Sequence, residues 1–247
     1  MIVIKSAAEL ERMKVSGHLA AVVRDSVAGK VSPGVKTIEL SDYAGEVIKS
    51  LGAESAFKGY RGYPGNICIS VNDAVVHGIP GSRRIDLGDI VSIDVGVKYD
   101  GFIGDTALTV MVGVTEPDVL SLVKVTEKSL EAGIAMARAG NRVSDISHAV
   151  EKVVQANGFS VVRDFVGHGI GRQMHEDPQI PNFGSPGRGA VLKPGMTLAI
   201  EPMVNQGAAS VDVQADGWTV LTRDGKLSAH FEHTVAVTEG AAEILTI

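Results

Sequence analysis

A second cysteine is missing from this chain. Cys68 stands alone among 247 residues, so no intramolecular disulfide can form and a reducing compartment is the simpler expectation. Basic clusters are also missing: none exceeds Arg83-Arg84, and the net charge is −6. A dedicated nucleic-acid surface is therefore not expected. No apolar run approaches the roughly 20 residues that a membrane span needs. The opening Met1-Ile2-Val3-Ile4-Lys5 passes straight into Glu9, Glu11 and Arg12, which is not a signal-peptide pattern. Low-complexity linkers and composition breaks are absent, so one domain over residues 1–247 is expected. No Gly-x-Ser-x-Gly element is present, and Cys68 lies in an apolar segment, which removes the usual serine and cysteine nucleophiles. With 45% hydrophobic residues the chain can bury a substantial core, and a soluble cytoplasmic protein is expected.

The residues that are present fall into a repeating order. Ser6 with Glu9 has capping-box spacing and opens a helix through Leu10, Met13, Leu19 and Val23, with Gly29 near its end. Thr37 is placed to cap a second helix through Leu40, Tyr43, Val47, Ile48 and Leu51, stopped by Gly52. Ile67–Val71, Ile90–Ile93 and Ala107–Val112 then read as strands. Thr115 with Asp118 predicts a long helix ending at Gly140, and Ser144 caps another that Gly158 terminates. A second strand-rich block fills the remainder.

Helix, helix, strands thus occurs twice, and the strands themselves match. Gly88-Asp89-Ile90-Val91-Ser92-Ile93-Asp94 parallels Gly195-Met196-Thr197-Leu198-Ala199-Ile200-Glu201. Downstream, Asp105-Thr106 leads to Gly113 as Glu232-His233-Thr234 leads to Gly240. The expectation is an α+β fold of two similar halves with Asp94, Asp105, Glu201 and Glu232 near a pseudo-twofold axis. Taken singly, each carboxylate alternates with apolar neighbours and reads as an exposed strand residue. Taken together, four ionised carboxylates need compensation, and their segments carry no lysine or arginine at matching positions. Metal ions are the natural compensation.

His168 lies in the glycine-rich Gly167-His168-Gly169-Ile170-Gly171, His175 precedes Glu176 and Asp177, and His77 precedes Gly78-Ile79-Pro80-Gly81. One imidazole with four carboxylates suits two ions such as Mn²⁺, Fe²⁺ or Co²⁺. Two-metal hydrolytic sites hold their ions about 3–4 Å apart, with a bridging water as nucleophile.

These segments, with Gly59-Tyr60-Arg61-Gly62-Tyr63-Pro64, Cys68-Ile69-Ser70-Val71-Asn72, Gly104-Asp105-Thr106, Ile200-Glu201-Pro202 and Phe231-Glu232-His233-Thr234, closely resemble the type I methionine aminopeptidases. The resemblance runs from the first helix to the final strand. It implies the pita-bread fold, in which two related halves enclose a dinuclear metal centre. It also implies roles. Asp94, Asp105, His168, Glu201 and Glu232 match the metal ligands, with Asp105 and Glu232 bridging, and Glu201 matches a proton shuttle. His175 matches the imidazole that steadies the oxyanion, and His77 the one near the leaving nitrogen. Tyr60, Tyr63, Cys68 and Trp218 match walls of the methionine pocket, although composition alone would make them core. Asn72 and Ser228 match positions that contribute to a monovalent-cation site in some relatives. The resemblance further implies excision of the initiator methionine from nascent polypeptides, a small preferred second residue, transient ribosome association and a monomer.

Three residues depart from the family pattern. Phe57 stands where relatives often have cysteine, Met174 where they often have phenylalanine, and His230 where they often have glutamine. The first two put the pocket's shape in question, the third the hydrogen bonding beside Glu232. The short stretches from His175 to Glu201 and on to Glu232 leave no room for the type II insertion. Prolidases and proline-specific aminopeptidases share the fold and the ligands, with an additional N-terminal domain. Other relatives act without metal, as creatinase does, or as binding modules. Retention of all five ligand types argues against those two.

Overall fold

A computed structural model describes residues 1–247. Ser6 caps the first helix, α1 (Ala7–Ala28), through the capping box its spacing predicts: its hydroxyl accepts from Glu9 N–H while the Glu9 carboxylate reaches back to Ser6 N–H. The second, α2 (Thr37–Ser50), starts one residue earlier than the predicted cap, with Lys36 at the N-cap. The Thr37 hydroxyl is engaged elsewhere, accepting from Gly81 N–H (2.9 Å) and donating to Gly81 O (3.2 Å). The third helix, α3 (Pro117–Met136), begins after Thr115, with proline in its first turn where no N–H is missed, and stops short of Gly140. The fourth, α4 (Val143–Ala156), has Arg142 rather than Ser144 at its N-cap. Ser144, like Thr37, exchanges two hydrogen bonds with a loop backbone, that of Arg188. Both misplaced caps therefore have one cause. In each half the hydroxyl is recruited by a distant loop, beside the paired bridges Lys36–Arg84 and Arg142–Val191.

The helices lie on one face of an antiparallel sheet whose centre reads 90–99, 102–111, 232–236, 197–200, 167–169, 176–180. The two halves meet where strand Phe102–Met111 pairs strand Glu232–Ala236, with Glu232 opposite Ala107 and His233 opposite Thr106. Strand Ile90–Tyr99 flanks this seam on one side and Thr197–Ile200 on the other, so the repeat read from the sequence becomes a physical pseudo-twofold. Two hydroxyl bridges lock the seam: Thr234 Oγ1 donates to Asp105 O and accepts from Asp105 N–H, and Thr106 Oγ1 donates to Glu232 O.

Alternation along each strand sends one set of residues to the helices and the other to the opposite face. Val91, Ile93, Val95 and Val97 pack under α1 and α2 with Val23, Leu40 and Ile48. Leu198, Ile200 and Val235 pack under α3 and α4 with Leu130 and Ile146. Helix α1 can approach closely because glycine meets glycine: a Cβ on Gly104 would stand 2.5 Å from the Gly17 Cα. The other face is also covered, which is why residues 90–97 are all buried and why the exposed-strand reading of Asp94 fails.

Candidate metal centre and substrate pocket

Sheet register gathers the acidic side chains. Cys68 pairs Asp94, Asp94 pairs Ala107, and Ala107 pairs Glu232, forming one row across four strands. His168 pairs Ala199 and Ala199 pairs Thr234, forming a parallel row. Asp105 lies two residues from Ala107 and Glu201 two from Ala199, so period-two alternation places both on this same face. Ala107 and Ala199, both buried, supply small side chains between the carboxylates and leave a cavity of about 400 Å³ above them.

All five residues line that cavity. One donor atom each from Asp105, His168 and Glu232 lie within 4.8 Å of one another. Asp94 and Glu201 flank this group. Glu201 Oε1 is 3.4 Å from His168 Nε2, and Asp105 Oδ2 is 4.0 Å from it. The Asp94, Asp105 and Glu232 carboxylates each keep a fully buried oxygen with no hydrogen-bond partner. No lysine or arginine pairs with any of the four acids. Such orphaned oxygens are costly in a protein interior, and together with one imidazole they fit divalent cations as ligands.

Burial sets the protonation states. It pushes Asp94 up to about 7. Burial, then the neighbouring carboxylates, raises Asp105, Glu201 and Glu232 well above the ordinary range. Burial, then the nearby His175, lowers His168 to about 3, so the imidazole is neutral with a lone pair to offer. His168 Nδ1 lies 2.9 Å from Gly169 O, which leaves Nε2 facing the acids. The buried Cys68 thiol is pushed up by desolvation and by Asp94, so it stays protonated and is no nucleophile.

These shifts predict how the fold responds to pH without metal. His77, His168, His230 and His233 are held near 3–4, so the stability they affect changes below their unfolded value of about 6.5 and is level above about pH 7.5. Above that pH the groups that matter are those that burial raises, the carboxylates and the Cys68 thiol, which hold protons in the folded chain where the unfolded chain has lost them. Stability of the chelated protein should fall as pH rises from about 7.5 to 9, and that of Mn²⁺-loaded protein less steeply, because bound ions would keep the acids ionised. Thermal melts in both states check this, and parallel curves would contradict it.

Around the acids stand the other residues expected at the site. Tyr60 OH meets His175 Nδ1 at 2.8 Å, with the rings stacked at 5.6 Å. This orients the opposite nitrogen of His175 away from Tyr60. His77 follows strand Ala74–Val76 with φ at 59°, a strained conformation for histidine. It stands edge-on to Phe165 (5.5 Å) and Trp218 (6.1 Å). Tyr63 packs edge-on to Trp218 at 5.1 Å and donates to Gly78 O at 2.9 Å, tying the aromatic wall to the His77 loop. Trp218 itself is set by Asp216, whose carboxylate accepts from the N–H groups of Trp218 and Thr219.

Arg61 also lines the cavity, a role the sequence did not assign to it. It sits at φ 48° with its guanidinium 5.4 Å from the Tyr60 ring centroid. Phe57 and Met174 line the cavity as well, and both press on one spot. A Cβ on Gly96 would stand 2.6 Å from Phe57 Cε1 and 2.9 Å from Met174 Cε. The two departures are thus one packing solution, a larger residue at 57 beside a flexible thioether at 174. His230 is buried with its Nε2 unpartnered; its backbone N–H donates to Thr109 Oγ1, and its ring bonds none of the acids. Asn72 and Ser228 do meet, through Ser228 N–H to Asn72 O at 2.9 Å.

The sequence pattern of metallopeptidase family M24 matches residues 11–239. The chain belongs to that family. Among its relatives, methionine aminopeptidase 1 of Bacillus subtilis is 51% identical over 246 residues, covering 100% of this chain and 99% of the relative. Methionine aminopeptidase of Clostridium perfringens is likewise 51% identical, over 247 residues and the same shares of both chains. The crystal structure of methionine aminopeptidase from Thermotoga maritima superposes with a TM-score of 0.98 at 49% identity, covering 100% of this chain and 99% of that one. Within the family the pita-bread architecture is therefore shared along the whole length. Prolidase from Pyrococcus furiosus matches at TM-score 0.82 and 23% identity, and the match covers 99% of this chain but 65% of that one. At that distance the likeness is one of fold alone. Membership in a metallopeptidase family accords with the buried Asp105–His168–Glu232 group as a divalent-metal site.

Proposed function

We propose that this chain removes the initiator methionine from new polypeptides, with two divalent ions held by Asp94, Asp105, His168, Glu201 and Glu232. The observation that carries this reading is the set of buried, unpartnered carboxylate oxygens beside a neutral imidazole, directly under an aromatic pocket. All five residues line one cavity across the central seam and would hold the ions through carboxylate oxygens and one imidazole nitrogen. Bound divalent ions supply the positive charge that neutralises these acids, acidifies water and attracts a free N-terminal amine and its carbonyl.

The remaining work belongs to side chains. Tyr63, Trp218, Cys68 and Phe57 enclose a flexible thioether in a largely apolar slot. Glu201 takes the proton of the attacking water and passes it to the departing nitrogen. His175, whose Nδ1 is held by the Tyr60 hydroxyl, presents its Nε2–H to the oxyanion that develops as the amide carbonyl is attacked. His77, lowered to about 4 by burial and by His175, is neutral at working pH and hydrogen-bonds the scissile nitrogen. Location in the cytoplasm, monomeric action near the ribosome and a monovalent cation at Asn72 and Ser228 belong to the same reading. No helix is long and apolar enough to cross a membrane.

A panel of short peptides tests it. Met-Gly peptides should be cleaved, and Met-Arg peptides at least about tenfold more slowly, because Arg61 at the rim repels a cationic second residue. X-Pro peptides should be inert. Equal rates on Met-Gly and Met-Arg would remove the proposed selectivity. Efficient X-Pro cleavage with inert Met-Gly would replace the reading with the prolidase-like one.

A further inference from the structure

The segment that carries His175 is a tight loop between Gly169 and Glu176, which are themselves paired across the antiparallel strands. Its closure depends on one carboxylate. Glu176 Oε1 accepts from the backbone N–H groups of Arg172 (2.9 Å) and Gln173 (3.3 Å), gathering the turn beneath it. Glu176 Oε2 accepts from Lys5 Nζ at 2.6 Å. Both partners are nearly sealed from water, with side-chain exposures of 3% for Lys5 and 10% for Glu176. The fit around them is close: a Cβ on Gly171 would stand 2.6 Å from Lys5 Cε and 2.7 Å from Glu176 Oε1.

Lys5 is itself fixed. Its backbone N–H donates to Gly195 O at 2.8 Å, in the turn that enters the strand leading to Glu201. The extended N-terminal segment thus clasps two parts of the site at once: the loop bearing His175 and the approach to Glu201. The far end of the loop is pinned by Ile103 N–H to Gly171 O at 2.8 Å, and His175 by Tyr60. Between those pins, the Lys5–Glu176 pair is the fastening nearest in sequence to the imidazole.

We propose that Lys5 is a positioning residue for the reaction, holding His175 at its working place by neutralising the buried Glu176 carboxylate that closes the loop. Without the ammonium, Glu176 is a buried carboxylate with two neutral donors. Its cheapest relief is to turn toward water, which opens the loop one residue from His175. A shift of about 1 Å at a group acting on the transition state costs about 10²-fold in turnover while leaving ground-state binding nearly untouched. This rests on the oxyanion role of His175 given above.

The test compares the metal-loaded parent, Lys5→Arg, Lys5→Met and the double variant Lys5→Met/Glu176→Gln on a Met-Gly peptide. Lys5→Met should lose about 10–100-fold in kcat with KM and metal content within about twofold of the parent. Lys5→Arg should recover most of the loss. The double variant should recover it also, because glutamine keeps the Oε1 acceptor and removes the stranded charge. It further covers the case in which Lys5→Met alone folds poorly. A Lys5→Met kcat within about twofold of the parent, or a double variant with unimproved kcat, overturns the proposal. A parent inert on Met-Gly overturns instead the functional reading beneath it.

Discussion

Asp105→Ala should abolish stoichiometric divalent-metal binding and lower peptide turnover by at least about 10³-fold, beyond the 10–100-fold that partners outside the ligand set of a metal site are worth. Asp105 sits on the seam strand, is 4% exposed, and belongs to the one group of donors within 4.8 Å of each other. No neighbouring acid can reach across in its place, because each is fixed by its own strand register. The fold has no need of this carboxylate. Removing one of several mutually repelling acids relieves the others, so the metal-free variant should melt no lower than the metal-free parent. Turnover comparable to the parent would exclude Asp105 from the site. A metal-free variant markedly less stable than its parent would show that the carboxylate serves the fold.

His175→Ala should cost about 10²–10³-fold in kcat, the usual loss on removing one oxyanion donor, with metal content unchanged. The geometry separates it from the ligands: its Nδ1 is taken by Tyr60 and it lies on the solvent-facing side of the cavity, exposed where His168 is buried. KM should move little, since the contact matters only as charge develops on the carbonyl oxygen. Loss of metal in this variant would move His175 into the ligand set. An equal fall in apparent affinity and turnover would make it a substrate-binding group.

Much of this is legible in the order of the side chains. The repeat of Gly88–Asp94 in Gly195–Glu201, and of Asp105-Thr106 in Glu232-His233-Thr234, survives as strands flanking a common seam, because period-two alternation and antiparallel register follow directly from side-chain order. The Ser6–Glu9 box was equally legible, since both partners lie within one helical turn. What escaped depends on residues distant in sequence. Thr37 and Ser144 looked like caps, and local propensity supports that, but Gly81 and Arg188 claim their hydroxyls. Lys5 carries no local signal of its role, because its partner Glu176 is 171 positions away. Phe57 and Met174 looked like separate departures until Gly96 placed them side by side. Nor does alternation along a strand say whether the face opposite the helices is open to water. Here a second layer covers it, which turns four ordinary-looking acids into a buried cluster.

Metal content per chain tests the central claim most directly. Purified protein should be stripped with a chelator, titrated with Mn²⁺ or Co²⁺, and compared with Asp105→Ala under the same conditions. The account predicts saturable binding of up to two ions per chain in the parent, recovery of Met-Gly cleavage in step with occupancy, and neither in the variant. Cleavage that persists in fully stripped protein, or identical binding by parent and variant, would contradict it.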